Sequence, residues 1–104
     1  MKEEQRRGER RRLAVDVMFR KPREIAHEVR LKNLSRHGCQ IAIRERMAPG
    51  QLVWVTIPGL ESLYGWVRWS GEWTAGVEFN KSLHEAVFDH LAAKFRRQRA
   101  AVPV

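Results

Sequence analysis

Six short runs of alternating apolar and polar residues, each closed by a turn signal, limit this chain to an antiparallel β fold. Side chains alternate across a strand, so a run that is apolar at every second position has one face to bury and one to leave wet. Val15, Val17 and Phe19 form the first such face, with Asp16, Met18 and Arg20 opposite, and Lys21-Pro22-Arg23 ends the run. Ile25, His27, Val29 and Leu31 alternate with Ala26, Glu28, Arg30 and Lys32, up to a break from Asn33 to Gly38. Cys39, Ile41 and Ile43 mark a third strand, stopped by Ala48-Pro49-Gly50. Val53, Val55 and Ile57 mark a fourth, stopped by Pro58-Gly59. Leu63, Gly65, Val67 and Trp69 line one face of a fifth; Ser70-Gly71 reads as a tight turn; Trp73, Ala75, Val77 and Phe79 line a sixth. Strands this short predict a six-stranded antiparallel β-barrel, closed or nearly so, because closure removes edges that would otherwise template aggregation.

The period then changes. Leu83, Val87, Leu91 and Phe95 recur every fourth residue, one stripe of a helix. Ser82 and Glu85 have capping-box spacing at its start, and Lys94, Arg96, Arg97 and Arg99 crowd its end, where cations suit the helix dipole. A helix from about Leu83 to Arg97 is expected, packed on the barrel by that stripe. The layout is therefore a basic arm over 1–11, expected to be mobile, a barrel over 12–80, a helical segment over 81–99 and a frayed tail over 100–104.

At 104 residues, 43% of them hydrophobic, the chain has room for one core and reads as one domain. The single cysteine, Cys39, allows no internal disulfide and on an inward face should be inert. Four histidines and one cysteine show no metal-ligand spacing, so no metal site is expected. No apolar run approaches the length of a membrane span, and none near the N-terminus reads as a signal peptide; a cytoplasmic protein is expected. The net charge of +8 favours polyanionic partners, among them nucleic acid, acidic lipid and nucleotide phosphates.

Two motifs of complementary chemistry narrow that choice. Arg6-Arg7-Gly8-Glu9-Arg10-Arg11-Arg12 supplies guanidinium groups that grip phosphate and stack on bases. Asn33-Leu34-Ser35-Arg36-His37-Gly38 supplies an amide, a hydroxyl and a glycine. Together they resemble the Arg-x-x-x-Arg and Asp/Asn-x-Ser-x-x-Gly signatures of the PilZ domain, a family known as a receptor for the bacterial second messenger cyclic di-GMP. Gly65-Trp66-Val67-Arg68-Trp69 and Gly76-Val77-Glu78-Phe79 look like that family's late strand pair, so the resemblance covers about residues 6 to 80.

The resemblance implies a six-stranded barrel followed by a helix, and a cyclic di-GMP site built from Arg7, Arg11 and Arg12 in the arm with Asn33, Ser35 and Gly38. Arg6, Arg10 and Arg36 are secondary candidates. Arg6 with Arg10 and Arg7 with Arg11 both fit Arg-x-x-x-Arg, whereas counting back from Val15 selects Arg12, which puts the arm one residue out of register or requires a bulge. In this reading Asn33 and Ser35 face guanine from the barrel surface, and Gly38 keeps the chain free of bulk and permits a positive φ. A downstream protein partner is implied, since one domain holds no output of its own.

Plainer readings compete at each position. A basic terminus is ordinarily a solvated arm, and Asn-x-Ser-x-x-Gly between strands is ordinarily turn chemistry. His27 reads as a buried or half-buried packing residue and His37 as an exposed loop residue. Trp54, Trp66, Trp69 and Trp73 at strand spacing read as barrel core or barrel–helix packing rather than base-stacking groups. His84, Asp89 and His90 lack a nucleophile, so no enzyme is expected. The alternatives are a ligand-free adaptor on the same fold and a basic nucleic-acid-binding barrel; the latter is disfavoured because no aromatic nucleic-acid motif lies on a strand.

Overall fold

The computed structural model describes residues 9–96. Six strands follow one another: β1 (Arg11–Arg20), β2 (His27–Leu34), β3 (Gly38–Ala42), β4 (Leu52–Thr56), β5 (Leu63–Gly71) and β6 (Thr74–Phe79), then helix α1 (Glu85–Phe95). They close into a barrel in the order β1-β2-β3-β6-β5-β4, with every adjacent pair antiparallel. The alternation places Val15, Val17, Phe19, Leu31, Ile41, Val53, Val55, Val67 and Val77 inside, all buried. This apolar interior is the main source of stability, each fully buried branched or aromatic side chain contributing about 1.5–3 kcal/mol.

The helix joins that core through Phe88 and Leu91, with Val87 and Phe95 partly buried. Its start differs from the capping-box expectation. His84 is the N-cap, its Nδ1 accepting from the Ala86 amide at 3.0 Å, while Ser82 Oγ lies 3.2 Å from His37 Nδ1. The helix therefore begins at Glu85, and Leu83 is buried ahead of it, tied down by Arg36. The Leu83 amide donates to the Arg36 carbonyl at 2.7 Å, and Arg36 Nε donates to the Leu83 carbonyl at 2.9 Å.

Several inward expectations are corrected. Ile25 precedes β2 and is 89% exposed, since that strand begins only at His27. His27 is itself exposed, its ring meeting Phe19 edge-on with centroids 5.8 Å apart. None of the four tryptophans is buried. Trp54 and Trp66 are half-buried on the outer face, and Trp69 and Trp73 are exposed. β5 runs on through Ser70-Gly71, so the hairpin turns at Glu72 and Trp73, the latter at φ 67°. Trp73 thus lies in the turn rather than on the inner face of β6.

Three register shifts interrupt the strand pairing. They fall between Arg12 and Val15 in β1, between Leu31 and Asn33 in β2, and between Val67 and Trp69 in β5. Each gives its strand one more residue than the partner, a β-bulge; in β2 and β5 the bulge re-aims the side chain beyond it, while β1 keeps its alternation. Strict alternation would send Asn33 inward after Leu31 and Trp69 inward after Val67. The bulges turn both outward instead.

Candidate ligand-binding surface

The two re-aimed residues fall on one line with Arg12, Gln40 and Gly76. Arg12 pairs with Asn33 across β1 and β2, Asn33 with Gln40 across β2 and β3, Gln40 with Gly76 across β3 and β6, and Gly76 with Trp69 across β6 and β5. This outer row runs from a cation through two amides to a bare glycine and an aromatic ring. Gly76 is needed there because Trp69 occupies the space of its missing side chain: a Cβ at residue 76 would sit 2.5 Å from Trp69 Cε2. Trp69 is 42% exposed.

Grooves flank the row on both sides. One of about 600 Å³ is lined by Arg12, Arg30, Lys32, Asn33 and Gln40, with backbone near the β1 bulge. The other, about 270 Å³, is lined by Arg10, Gln40, Arg68 and Trp69 among others. Gln40 borders both. Two of the cations already have acidic neighbours: Arg30 Nε lies 3.0 Å from Asp16 Oδ1, and Arg68 Nε lies 2.9 Å from Glu78 Oε1. These pairs are exposed and worth little to stability, so an incoming anion can compete for the arginines.

Hydrogen bonds tie the arm to the row. Arg10 Nη1 donates to Asn33 Oδ1 at 2.6 Å, and Asn33 Nδ2 donates to Gln40 Oε1 at 2.6 Å. Arg11 instead pairs with Glu9 at 2.6 Å, and its backbone faces Leu34. Arg12 heads the row on the bulged strand, so the one-residue offset in the sequence has a structural counterpart in the β1 bulge. Arg10, a secondary candidate, is thus the arm residue in direct contact with Asn33 among the described residues. Arg6 and Arg7 lie outside the described residues, as does most of the arm.

The Asn33–Gly38 motif is only partly a loop. Asn33 and Leu34 belong to β2 and Gly38 opens β3, leaving Ser35-Arg36-His37 as the turn. Ser35 is buried, at 3% exposure. Its Oγ accepts from the amides of His37 at 3.1 Å and Gly38 at 3.2 Å, and its own amide donates to the Gly38 carbonyl at 2.9 Å. Its hydroxyl therefore shapes the turn. Gly38 is not among the residues with positive φ. It is bare because β6 lies against it, where a Cβ would come within 3.1 Å of the Val77 carbonyl carbon and closer still to its oxygen. Arg36 is engaged with Leu83, away from the row.

The sequence reading missed Gln40, Trp69, Arg30, Lys32 and Arg68 as residues of this surface. Gln40 was recoverable: a turn closed by Ser35 against Gly38 sets Leu34 opposite Cys39 and Asn33 opposite Gln40. Trp69 was hidden by the bulge.

The barrel order, the paired motifs and the helix after the last strand agree with the comparison to known families. The sequence matches the PilZ domain model over residues 4–97. The chain belongs to the PilZ domain family. PilZ domains are binding modules for cyclic di-GMP, and the match covers nearly the whole chain as one domain. A search of the curated proteins returned no match. Among the described residues no helix is long and apolar enough to cross a membrane, and no cluster of His, Cys, Asp and Glu could hold a metal ion.

Proposed function

We propose that this PilZ domain binds cyclic di-GMP on the outer row and uses the altered surface to engage or release a protein partner. The observation that carries the reading is the row itself, with Arg10 and Arg12 at one end, Asn33 and Gln40 in the middle and Trp69 at the other end. The ligand has two phosphodiesters and two guanines, and needs cations, polar edge contacts and flat surfaces. Arg12, Arg30 and Lys32 line one groove as phosphate partners, and Arg10 joins them when it leaves Asn33. Asn33 Oδ1 accepts from the guanine edge, and the open face of Trp69 gives a base a surface to stack on. Arg7 and Arg11 are assigned to the ligand from the family motif, Arg11 by exchanging Glu9 for phosphate.

Ser35 and Gly38 serve this site by fixing the turn and the close approach of β6. Arg36 braces the segment leading to the helix. Binding neutralises the arm and changes both charge and shape, which gives a partner two differential contacts to read. The role is that of a non-catalytic receptor working in the cytoplasm.

Isothermal titration of the whole chain with cyclic di-GMP at physiological salt tests the proposal, with GTP and a mixed-sequence oligonucleotide as controls. Saturable micromolar or tighter binding to the cyclic dinucleotide alone is expected. Binding to the oligonucleotide that falls steeply with salt would replace this reading with the nucleic-acid one.

A further inference from the structure

Gln40 lies outside both sequence motifs, yet it touches Asn33 and borders both grooves. The polarity of the chain Arg10–Asn33–Gln40 is fixed by its first member. A guanidinium only donates, so the Asn33 atom facing Arg10 Nη1 must be the carbonyl oxygen. The remaining atom is the amide nitrogen, a donor, so it meets Gln40 at the glutamine's oxygen. Both side chains are half-buried, and the strand register sets their backbones opposite each other.

We infer that Gln40 is a positioning residue for ligand selection, holding the Asn33 amide with its oxygen toward the incoming base. The inference rests on the cyclic di-GMP reading above. Guanine presents two adjacent donors on its Watson–Crick edge, N1–H and the exocyclic amine. An oxygen-out Asn33 accepts from them, whereas a flipped amide sets donor against donor. An aspartate at this position would accept through either oxygen and need no such control. Asparagine does need it: guanine donors that replace Arg10 at Asn33 Oδ1 keep the polarity the arginine set, and Gln40 goes on accepting from Asn33 Nδ2.

Titration of four proteins with cyclic di-GMP tests this: wild type, Gln40→Leu, Asn33→Asp and the double variant, each first shown folded by circular dichroism. Loss of an oriented hydrogen bond predicts that Gln40→Leu weakens binding about tenfold. In the Asn33→Asp background the same change should cost less than about threefold, because a carboxylate has no wrong orientation. An equal loss in both backgrounds would overturn the inference, as would no loss in either. A wild-type protein that does not bind would instead sink the receptor reading. The orientation would then be read on the free protein by NMR. Asn33 side-chain amide protons protected from exchange in wild type and unprotected in Gln40→Leu support the inference; equal exchange overturns it.

Discussion

The indole of Trp69 fills the place at Gly76 where any other residue would carry its side chain. The bulge between Val67 and Trp69 turns the ring outward, and the glycine gives it a bed. A methyl group at residue 76 would push into the ring rather than into backbone. Gly76→Ala should therefore fold, at a cost of about 1–2 kcal/mol. The Trp69 indole N–H resonance should move, and cyclic di-GMP affinity should fall. Denaturant titration and a two-dimensional NMR spectrum check the two halves separately.

Gly38 faces a harder neighbour. The atoms a Cβ would meet are the Val77 carbonyl and the Glu78 Cα, both backbone, which cannot rotate away. Gly38→Ala should cost about 3 kcal/mol or more, by overpacking at the β3–β6 pair. A shift in urea midpoint at unchanged slope would report it.

The arm arginines should not be equivalent. Arg10 bonds Asn33, while Arg11 is paired with Glu9. Arg10→Ala removes a cation at the row and should weaken cyclic di-GMP binding by about tenfold or more, the scale of a charge-assisted hydrogen bond. Glu9→Gln releases Arg11 from an exposed pair and should tighten binding by no more than about fivefold, since such pairs are worth at most about 1 kcal/mol. Titration of each variant at two salt concentrations separates these contacts from bulk charge.

Cys39 gives a pH dependence. Full burial pushes its thiol up to about 12, against a smaller opposing effect of Arg10. The unfolded thiol ionises near about 8.5, so between these values the folded protein holds a proton that the unfolded chain has lost. Stability is then lost as pH rises, at up to about 1.4 kcal/mol per pH unit from this group. The stability advantage of wild type over Cys39→Ala should be greatest below pH 8 and shrink through pH 9 to 11. In the native state at neutral pH the thiol should resist alkylation.

The barrel was legible because its inner face obeys strict alternation: Val15, Val17, Phe19, Ile41, Val53, Val55 and Val77 all point where the pattern sends them. What the pattern cannot carry is a bulge, since one extra residue leaves composition unchanged while reversing every face beyond it. Trp69 was assigned inward for that reason, and Asn33 to a loop rather than to β2. The helix start was misjudged because a histidine can cap as a serine does, and the tertiary clamp of Arg36 on Leu83 holds that residue off the helix. The motif residues were visible as types, but their division of labour was not. Whether Ser35 reads a base or builds a turn depends on where its hydroxyl points, which only the fold decides.

The location of the binding surface is tested most directly by NMR titration of the isotopically labelled full chain with cyclic di-GMP. The account predicts that shift changes concentrate on Arg10, Arg12, Asn33, Gln40, Gly76 and the Trp69 indole. The outer face bearing Trp54, Tyr64 and Trp66 should stay still. Changes centred on that second face, or none at saturating ligand, would contradict it.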